Sequence, residues 1–343
     1  MKTSTGAEQE DLFDAIAYLI GEAQTIAICA HTNPDGDALG SQLALKMLIE
    51  QRWPRKEVVC LLADDDPCPR IYTFLAGAGE LVAASAYEGN PDLFICVDLS
   101  QPSRLNHGEQ VMRRARTMAI IDHHPCEKPE GNAALIRPEA AAAGVIVAEF
   151  AEHLGLEITP DVAQCLFCAI ATDTGRFQYQ NADAEAFQVA SKLVSCGASP
   201  SEVSLNVYQS FRLQFLHLKS LVMGRVTTFE RGRIAYSYAT VADIERTGAS
   251  LDESDGLVDV VRSVAGSEIA LFLKEVPGGK VRGNLRSKGE HDISGVARAL
   301  GGGGHRAASG FTIEGGVDDA LCAALPLLKE LYNKDARQEP DAL

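Results

Sequence analysis

Four short apolar runs dominate the first part of this chain: "TIAICA" (25–30), "EVVCLL" (57–62), "DLFICV" (92–97) and "TMAII" (117–121). Each is apolar nearly throughout rather than on alternate residues, so both faces of such a strand must be covered. Helical patterns lie between and after them, near 37–51, 140–154, 161–172 and 183–196. Buried strands interleaved with helices predict an α/β fold with an N-terminal parallel, doubly wound sheet. Connecting helices are expected over 197–223, where "FRLQFLHLKSLVM" is apolar at helical spacing. From 224 the pattern changes. "GRVTTFERGRIAYSYAT" and "SEIALFLKEVPGGKVRGNLRSK" read as hairpins, turning at Glu230–Gly232 and Pro277–Gly279. A short helix near 293–300, a last strand "SGFTI" and a helix over 317–332 follow, which predicts a smaller C-terminal α+β domain. The expected organisation is a first domain over 1–196, a helical linker over 197–223, a second domain over 224–335 and a frayed tail over 336–343.

A length of 343 residues exceeds one compact core and suits two domains. No apolar run approaches the roughly 20 residues of a membrane span. The acidic N-terminus lacks the basic-then-apolar pattern of a signal peptide, so a cytoplasmic location is expected. The nine cysteines are odd in number and mostly lie in apolar segments, which argues against a disulfide framework. Cys165-Leu-Phe-Cys168 reads as a pair of buried small hydrophobes rather than a zinc or redox site.

The polar residues fall in telling places. In an open parallel sheet, sites form beyond the carboxyl ends of the strands. The first run ends in "HTNPDGDALGS", supplying His31, Asp35 and Asp37. The third ends in Asp98, and the fourth in Asp122, His123 and His124. A later helix ends in "ATDTGRF", supplying Asp173. Any one of these could be a cap or a turn residue. Together they are costly at the end of buried strands unless hydrogen-bonded or liganded. Such a crowd of carboxylates would repel unless cations neutralised it. Two divalent metals roughly 3.5–4 Å apart, bridged by one carboxylate, answer that need. Oxygen-rich ligands with some imidazole favour Mn2+, with Mg2+, Co2+ or iron behind it; zinc is disfavoured because no cysteine joins the set.

A net charge of −16 argues against long duplex nucleic acid as a partner. A short anion remains open where positive charge gathers. From 274 to 310 the basic residues are Lys274, Lys280, Arg282, Arg286, Lys288, Arg298 and Arg306, against Glu275, Glu290 and Asp292. The run Gly301–Gly304 in the same stretch allows backbone N–H groups to approach an anion closely, and His305 follows it.

The set "HTNPDGDALGS", "VDLS", "IDHHP" and "ATDTGRF" resembles the four motifs of the DHH phosphoesterase superfamily. The distal "LRSKGEHDISGVARALGGGGHRAASG" resembles the DHH-associated nucleotide-binding domain. The pair looks like the nanoRNase branch, the bifunctional oligoribonuclease and PAP phosphatases, where PAP is 3′-phosphoadenosine 5′-phosphate. The resemblance implies that 1–196 is the metal-binding catalytic domain and 224–335 the nucleotide-binding one. It implies that His31 and Asp35 hold one metal, that Asp37, His123 and Asp173 hold the other, and that Asp98 bridges. His124 would face the substrate phosphate, with Asp122 behind it, so that His124, Asp98 and Asp122 form the catalytic group. Arg286, Lys288, Gly302, Gly303, Gly304, His305 and Arg306 would bind substrate. The implied reaction is hydrolysis of short oligoribonucleotides or PAP by a hydroxide bridging two divalent cations, in an exonuclease-like enzyme that could act as a homodimer. A cyclic or linear di-adenosine dinucleotide is the alternative substrate. Inorganic pyrophosphatase and a catalytically inactive nucleotide sensor are more distant readings.

Overall fold

The computed structural model describes residues 6–288 and 291–335; the tail expected over 336–343 lies outside them. The chain divides into two compact units, Met1–Ser210 and Phe211–Leu343, and the division falls inside the 197–223 stretch.

The first unit is built on a six-stranded sheet. Its strands are β1 (Thr25–Cys29), β2 (Glu57–Leu62), β3 (Val82–Ala83), β4 (Leu93–Val97), β5 (Thr117–Asp122) and β6 (Ala133–Ile136), in the order β3-β2-β1-β4-β5-β6. Every pairing is parallel. The doubly wound sheet expected from the continuous apolar runs is therefore present. Both faces of β1 are buried: Ile26 and Ile28 join one apolar cluster, Ala27 and Cys29 the other. The larger cluster is closed by helices α1 (Gly6–Glu22), α2 (Gly36–Arg52), α4 (Ala143–His153) and α5 (Pro160–Asp173). Helix α3 (Gly108–Arg114) packs on the opposite face through Val111. Chain order reverses between β1 and β4, which makes their carboxyl ends the switch point of the sheet.

Helix α2 begins where Asp35 accepts the backbone N–H groups of Asp37 and Ala38. It then runs against α5 so closely that a Cβ at Gly40 would overlap the Cys165 carbonyl. Cys165 and Cys168 are fully buried in this packing, and burial pushes the Cys165 thiol up to about 12. They are core hydrophobes, as their apolar setting predicts. Helices α6 (Ala184–Ser195) and α7 (Pro200–Val203) and a π-helical turn over Ser204–Tyr208 complete the unit.

The second unit carries a mixed sheet of β7 (Thr227–Phe229), β8 (Ile234–Ala239), β9 (Ile269–Val276), β10 (Lys280–Ser287), β11 (Gly303–Gly304) and β12 (Ala308–Glu314), in the order β11-β12-β10-β9-β8-β7. Both expected hairpins form, but β8 and β9 pair in parallel. A parallel pair needs a long crossover, which α9 (Val241–Thr247) and α10 (Val258–Arg262) supply. One face of β9 sends Ile269, Leu271 and Leu273 into a core with α11 (Ser294–Ala299) and α12 (Val317–Asp335). The other sends Ala270 and Phe272 towards α8 (Leu213–Gly224), which contributes Phe215, Leu218 and Val222. No described helix is long and apolar enough to cross a membrane.

Candidate metal centre

The carboxyl ends of β1, β4 and β5 bring the predicted groups together in the first unit. His31, Asp37, Asp98, Asp122 and His123 are all buried, the most exposed at 6 %. His31 Nε2 lies 3.2 Å from Asp98 Oδ2 and 4.0 Å from Asp35 Oδ1. His123 Nε2 lies 3.3 Å from the other Asp98 oxygen, 3.6 Å from Asp173 Oδ2 and 3.7 Å from Asp37 Oδ2. Asp98 thus gives one oxygen to each imidazole. It reaches that position from a left-handed backbone, φ +57°, which costs free energy for any residue but glycine.

Backbone groups fix both histidines. His31 Nδ1 is 2.8 Å from the Thr32 carbonyl, and His123 Nδ1 is 3.1 Å from the Ala140 carbonyl. A carbonyl oxygen only accepts, so each Nδ1 carries the hydrogen and each Nε2 faces the carboxylates. Nε2 is therefore the atom each imidazole would offer a metal once it gives up its proton to the binding step. Asp37 sits in the first turn of α2 and accepts the N–H groups of Ala143 (2.7 Å) and Gly144 (2.9 Å) at the start of α4, as well as the Ser41 hydroxyl (2.8 Å). The two N–H donors belong to the N-terminus of α4, and Asp37 itself lies in the first turn of α2, both favourable places for a carboxylate.

The electrostatics show a surplus of negative charge. Burial pushes Asp37 up to about 7, with Asp98 and Asp35 adding to it and His123 opposing. Asp173 shifts upward through burial too, although 28 % of its side chain faces solvent, which screens the effect. Burial disfavours charge on His31, yet its bond to Asp98 and the charge of Asp35 outweigh this and raise it to about 9. Burial also works against ionised Asp98, but His123 and His31 hold it well below the usual carboxylate range. Asp98 Oδ1 is buried between His123 Nε2 at 3.3 Å and His124 Nδ1 at 3.4 Å, yet receives no well-aligned hydrogen bond among the described residues. A buried carboxylate oxygen so poorly satisfied is where a cation would fit. Ligand atoms of His31, Asp35 and Asp98 lie within 4.8 Å of one another, and so do those of Asp37, Asp98 and His123. Asp98 belongs to both sets. The residues fit two cations sharing one carboxylate.

His124 is turned differently. Its Nδ1 is 2.7 Å from Asp122 Oδ1, and the same oxygen accepts its backbone N–H at 3.1 Å. The two histidine rings stand edge to face, 73° apart. Neighbouring strand-end residues point in different directions, so His123 turns to the carboxylates while Asp122 holds the His124 ring with its Nε2 edge away from itself.

The second unit gathers the expected substrate-binding residues at one corner of its sheet. Arg286 pairs across β10 with Ala308 of β12, and the Ser287 N–H donates to the Ala307 carbonyl. The turn His305–Ala307 joins β11 to β12. Gly303 and Gly304 form β11 itself, paired with Gly310 and Ser309. A Cβ at Gly302 would overlap the Gly310 carbonyl, so that glycine has a packing reason of its own. Lys288 gives its ammonium to the Val264 carbonyl at 2.6 Å and the Ser267 hydroxyl at 3.3 Å, and burial lowers its pKa.

Other groups at the centre were not visible in the motifs. The Ala140 carbonyl and the Ala143 and Gly144 N–H groups are backbone, and carry no residue-type signal. The small-residue run "AAAAG" over 140–144 is the trace they leave in the sequence. Asn181 Nδ2 ties the Asp173 carbonyl (3.1 Å) to the Ala141 carbonyl (3.0 Å).

A doubly wound sheet with buried carboxylates and imidazoles gathered at its switch point is the setting of a metal-dependent hydrolase, and comparison with known proteins says of which class. The chain belongs to the DHH family: the DHH family N-terminal domain matches residues 25–170 and the DHHA1 domain matches residues 232–334. Enzymes of this family are metal-dependent hydrolases. More particularly, the chain is 31% identical to the bifunctional oligoribonuclease and PAP phosphatase NrnA of Thermus thermophilus, over 89% of each chain. It is 29% identical to the protein of that name from Bacillus subtilis, over 84% of this chain and 89% of the relative. The structure of an exopolyphosphatase-related protein from Bacteroides fragilis superposes with a TM-score of 0.85 at 23% identity, covering 94% of this chain and 96% of that one, and shows the shared fold.

Proposed function

We propose that this chain is a manganese-dependent hydrolase of short oligoribonucleotides and PAP. The observation that carries the proposal is Asp98, buried between two histidines with one oxygen towards each. His31 and Asp35 would hold one cation, Asp37, His123 and Asp173 the other, and Asp98 both. Bound there, the metals would supply an activated water and neutralise charge on the phosphoryl oxygens. The chain's own groups do the rest. Thr32 and Ala140 keep the two liganding imidazoles in the correct tautomer. Asp122 holds Nδ1–H of His124 and aims the opposite edge of that ring at a substrate phosphate, where it stabilises developing charge. Arg286, Lys288, His305, Arg306 and the backbone of Gly302–Gly304 would bind the nucleotide. A guanidinium suits that task because its fork matches phosphate geometry.

Manganese is the metal that an oxygen-rich set with two imidazoles supports best. A net charge of −16 supports short substrates over long duplexes. Free cysteines suit a reducing cytoplasm. Release of nucleotides from a chain end is part of the same proposal, since a short substrate offers little but its ends. The test is a panel of PAP, a dinucleotide, a linear di-adenosine dinucleotide and a 24-mer RNA, assayed with Mn2+, Mg2+ and Co2+. Turnover of PAP and the dinucleotide, fastest with Mn2+, is expected. Turnover of the 24-mer alone, or metal-independent binding without turnover, would overturn the proposal. Preference for the di-adenosine compound would replace its substrate.

A further inference from the structure

Arg137 follows β6 and lies outside every motif of the metal centre, yet only 5 % of its surface is exposed. Its guanidinium forks onto Glu149 of α4 and Glu185 of α6. Its backbone is as occupied as its side chain. The Arg137 N–H donates to the Asp122 carbonyl at 3.0 Å, and its own carbonyl accepts from Ala140 N–H at 3.0 Å. That contact presents the Ala140 carbonyl to His123 Nδ1, 3.1 Å away. Three and four residues later the chain delivers the N–H groups of Ala143 and Gly144 to Asp37. One short loop therefore sets the tautomer of one candidate ligand and the orientation of another. Its first residue is clamped on two helices by a buried guanidinium.

We infer that Arg137 is a positioning residue for the metal centre, acting through the backbone of residues 137–144. Stability alone explains the clamp poorly. A buried arginine among carboxylates, here Glu149, Glu185 and, at 3.6 Å, Glu139 of the loop itself, gains little over an apolar side chain of similar volume. The two helices it touches are joined independently by an ion pair between Lys192 and Glu152. What Arg137 adds is attachment of the loop.

The inference rests on the reading of this cluster as a metal site, and calorimetric titration of Mn2+ into the metal-stripped full chain separates the two. Wild-type protein that takes up no manganese overturns both. If wild type binds, Arg137→Met should weaken Mn2+ binding by about tenfold or more, the effect of removing a partner that orients a ligand. Arg137→Lys should recover part of the loss. Lys192→Met, which cuts the other tie between α4 and α6, should leave the affinity unchanged. Wild-type affinity in a folded Arg137→Met protein would overturn the inference, and so would an equal loss in Lys192→Met. Should Arg137→Met fail to fold, Glu185→Gln decides: it releases one arm of the fork and should weaken binding by about threefold. An unchanged affinity there would overturn the inference as well.

Discussion

The two units treat their buried aspartates in opposite ways. Among the described residues, the buried side-chain atoms without a hydrogen-bond partner belong to Gln42, Asp98 and Asp122, all in the first unit. In the second unit Asp243 is as buried, at 3 % exposure, but is fully engaged. It accepts from Arg225, Arg246 and both the N–H and the hydroxyl of Thr240. Glu253 takes a two-pronged contact from Arg212. The shifts mostly follow. Burial drives Asp37 and Asp173 upward, with Asp98 held low by His123 and His31, whereas Arg225 holds Asp243 far below the usual range and Arg212 brings Glu253 down to about 2. The same residue type thus closes the fold against arginine in one unit and is crowded with other acids in the other. Crowded buried acids cost stability, and they persist where a ligand completes them.

The largest effect should come from the acid that both candidate ligand sets share. Asp98→Asn keeps the size of the side chain, and asparagine tolerates the left-handed backbone at this position. Folding should therefore survive. Loss of the carboxylate shared by both ligand sets should lower kcat on a short oligoribonucleotide by about 10³-fold. Metal analysis should show less than the wild-type manganese content. Near-normal activity and metal content would remove Asp98 from the bridging position.

The matching substitution in the second unit should spare chemistry and cost stability. Asp243→Asn leaves Arg225 half-paired and weakens the cap of α9, for a loss of about 2–3 kcal/mol after allowing for the partial exposure of Arg225. The pH dependence has a definite sign. A carboxylate held below its ordinary value, near 4, contributes stability that is fully present above that value. The contribution disappears as pH falls through the folded-state value. Wild-type protein should therefore lose the Asp243 and Glu253 contributions only in strong acid, and Asp243→Asn should unfold at a higher pH than wild type. Equal acid midpoints by circular dichroism would show that the pairing adds nothing.

The frame of this molecule was legible and its fastenings were not. The strand over 57–62 is read to the residue, and the one over 117–121 extends by only Asp122, because unbroken apolar runs between helices have one good solution. Val82–Ala83 and Ala133–Ile136 escaped because they are short strands at the sheet edges, where burial imposes little pattern. The parallel pairing of β8 with β9 escaped because two hairpins look alike whether or not a helical crossover separates them. At the metal centre the side chains stood out as costly groups at strand ends. The Ala140 carbonyl, the N–H groups of Ala143 and Gly144, and the Arg137–Glu185 contact 48 residues apart in sequence did not, since backbone donors and distant pairs have no local signature. The glycine run shows the converse. Its composition suggests an anion loop, while Gly302 also meets a packing demand of β12 that only the fold reveals.

The smallest effect uses one backbone conformation in two settings. Arg231 has φ +57°, the same as Asp98, but it lies exposed in the turn between β7 and β8, flanked by Glu230 at +48° and Gly232 at +87°. A left-handed backbone costs a non-glycine residue about 1–2 kcal/mol. Glycine removes that cost but returns about 0.5–1 kcal/mol through the extra entropy of the unfolded chain. Arg231→Gly should therefore stabilise the second unit by about 0.5 kcal/mol, raising its Tm by about 1–3 °C. Activity should not change. At Asp98 the same relief of strain is worthless, because the carboxylate it would remove is the reason for the conformation. A calorimetric Tm that stays level or falls in Arg231→Gly would mean that the turn carries no strain, and the resemblance between the two positions would then be one of angle and not of energy.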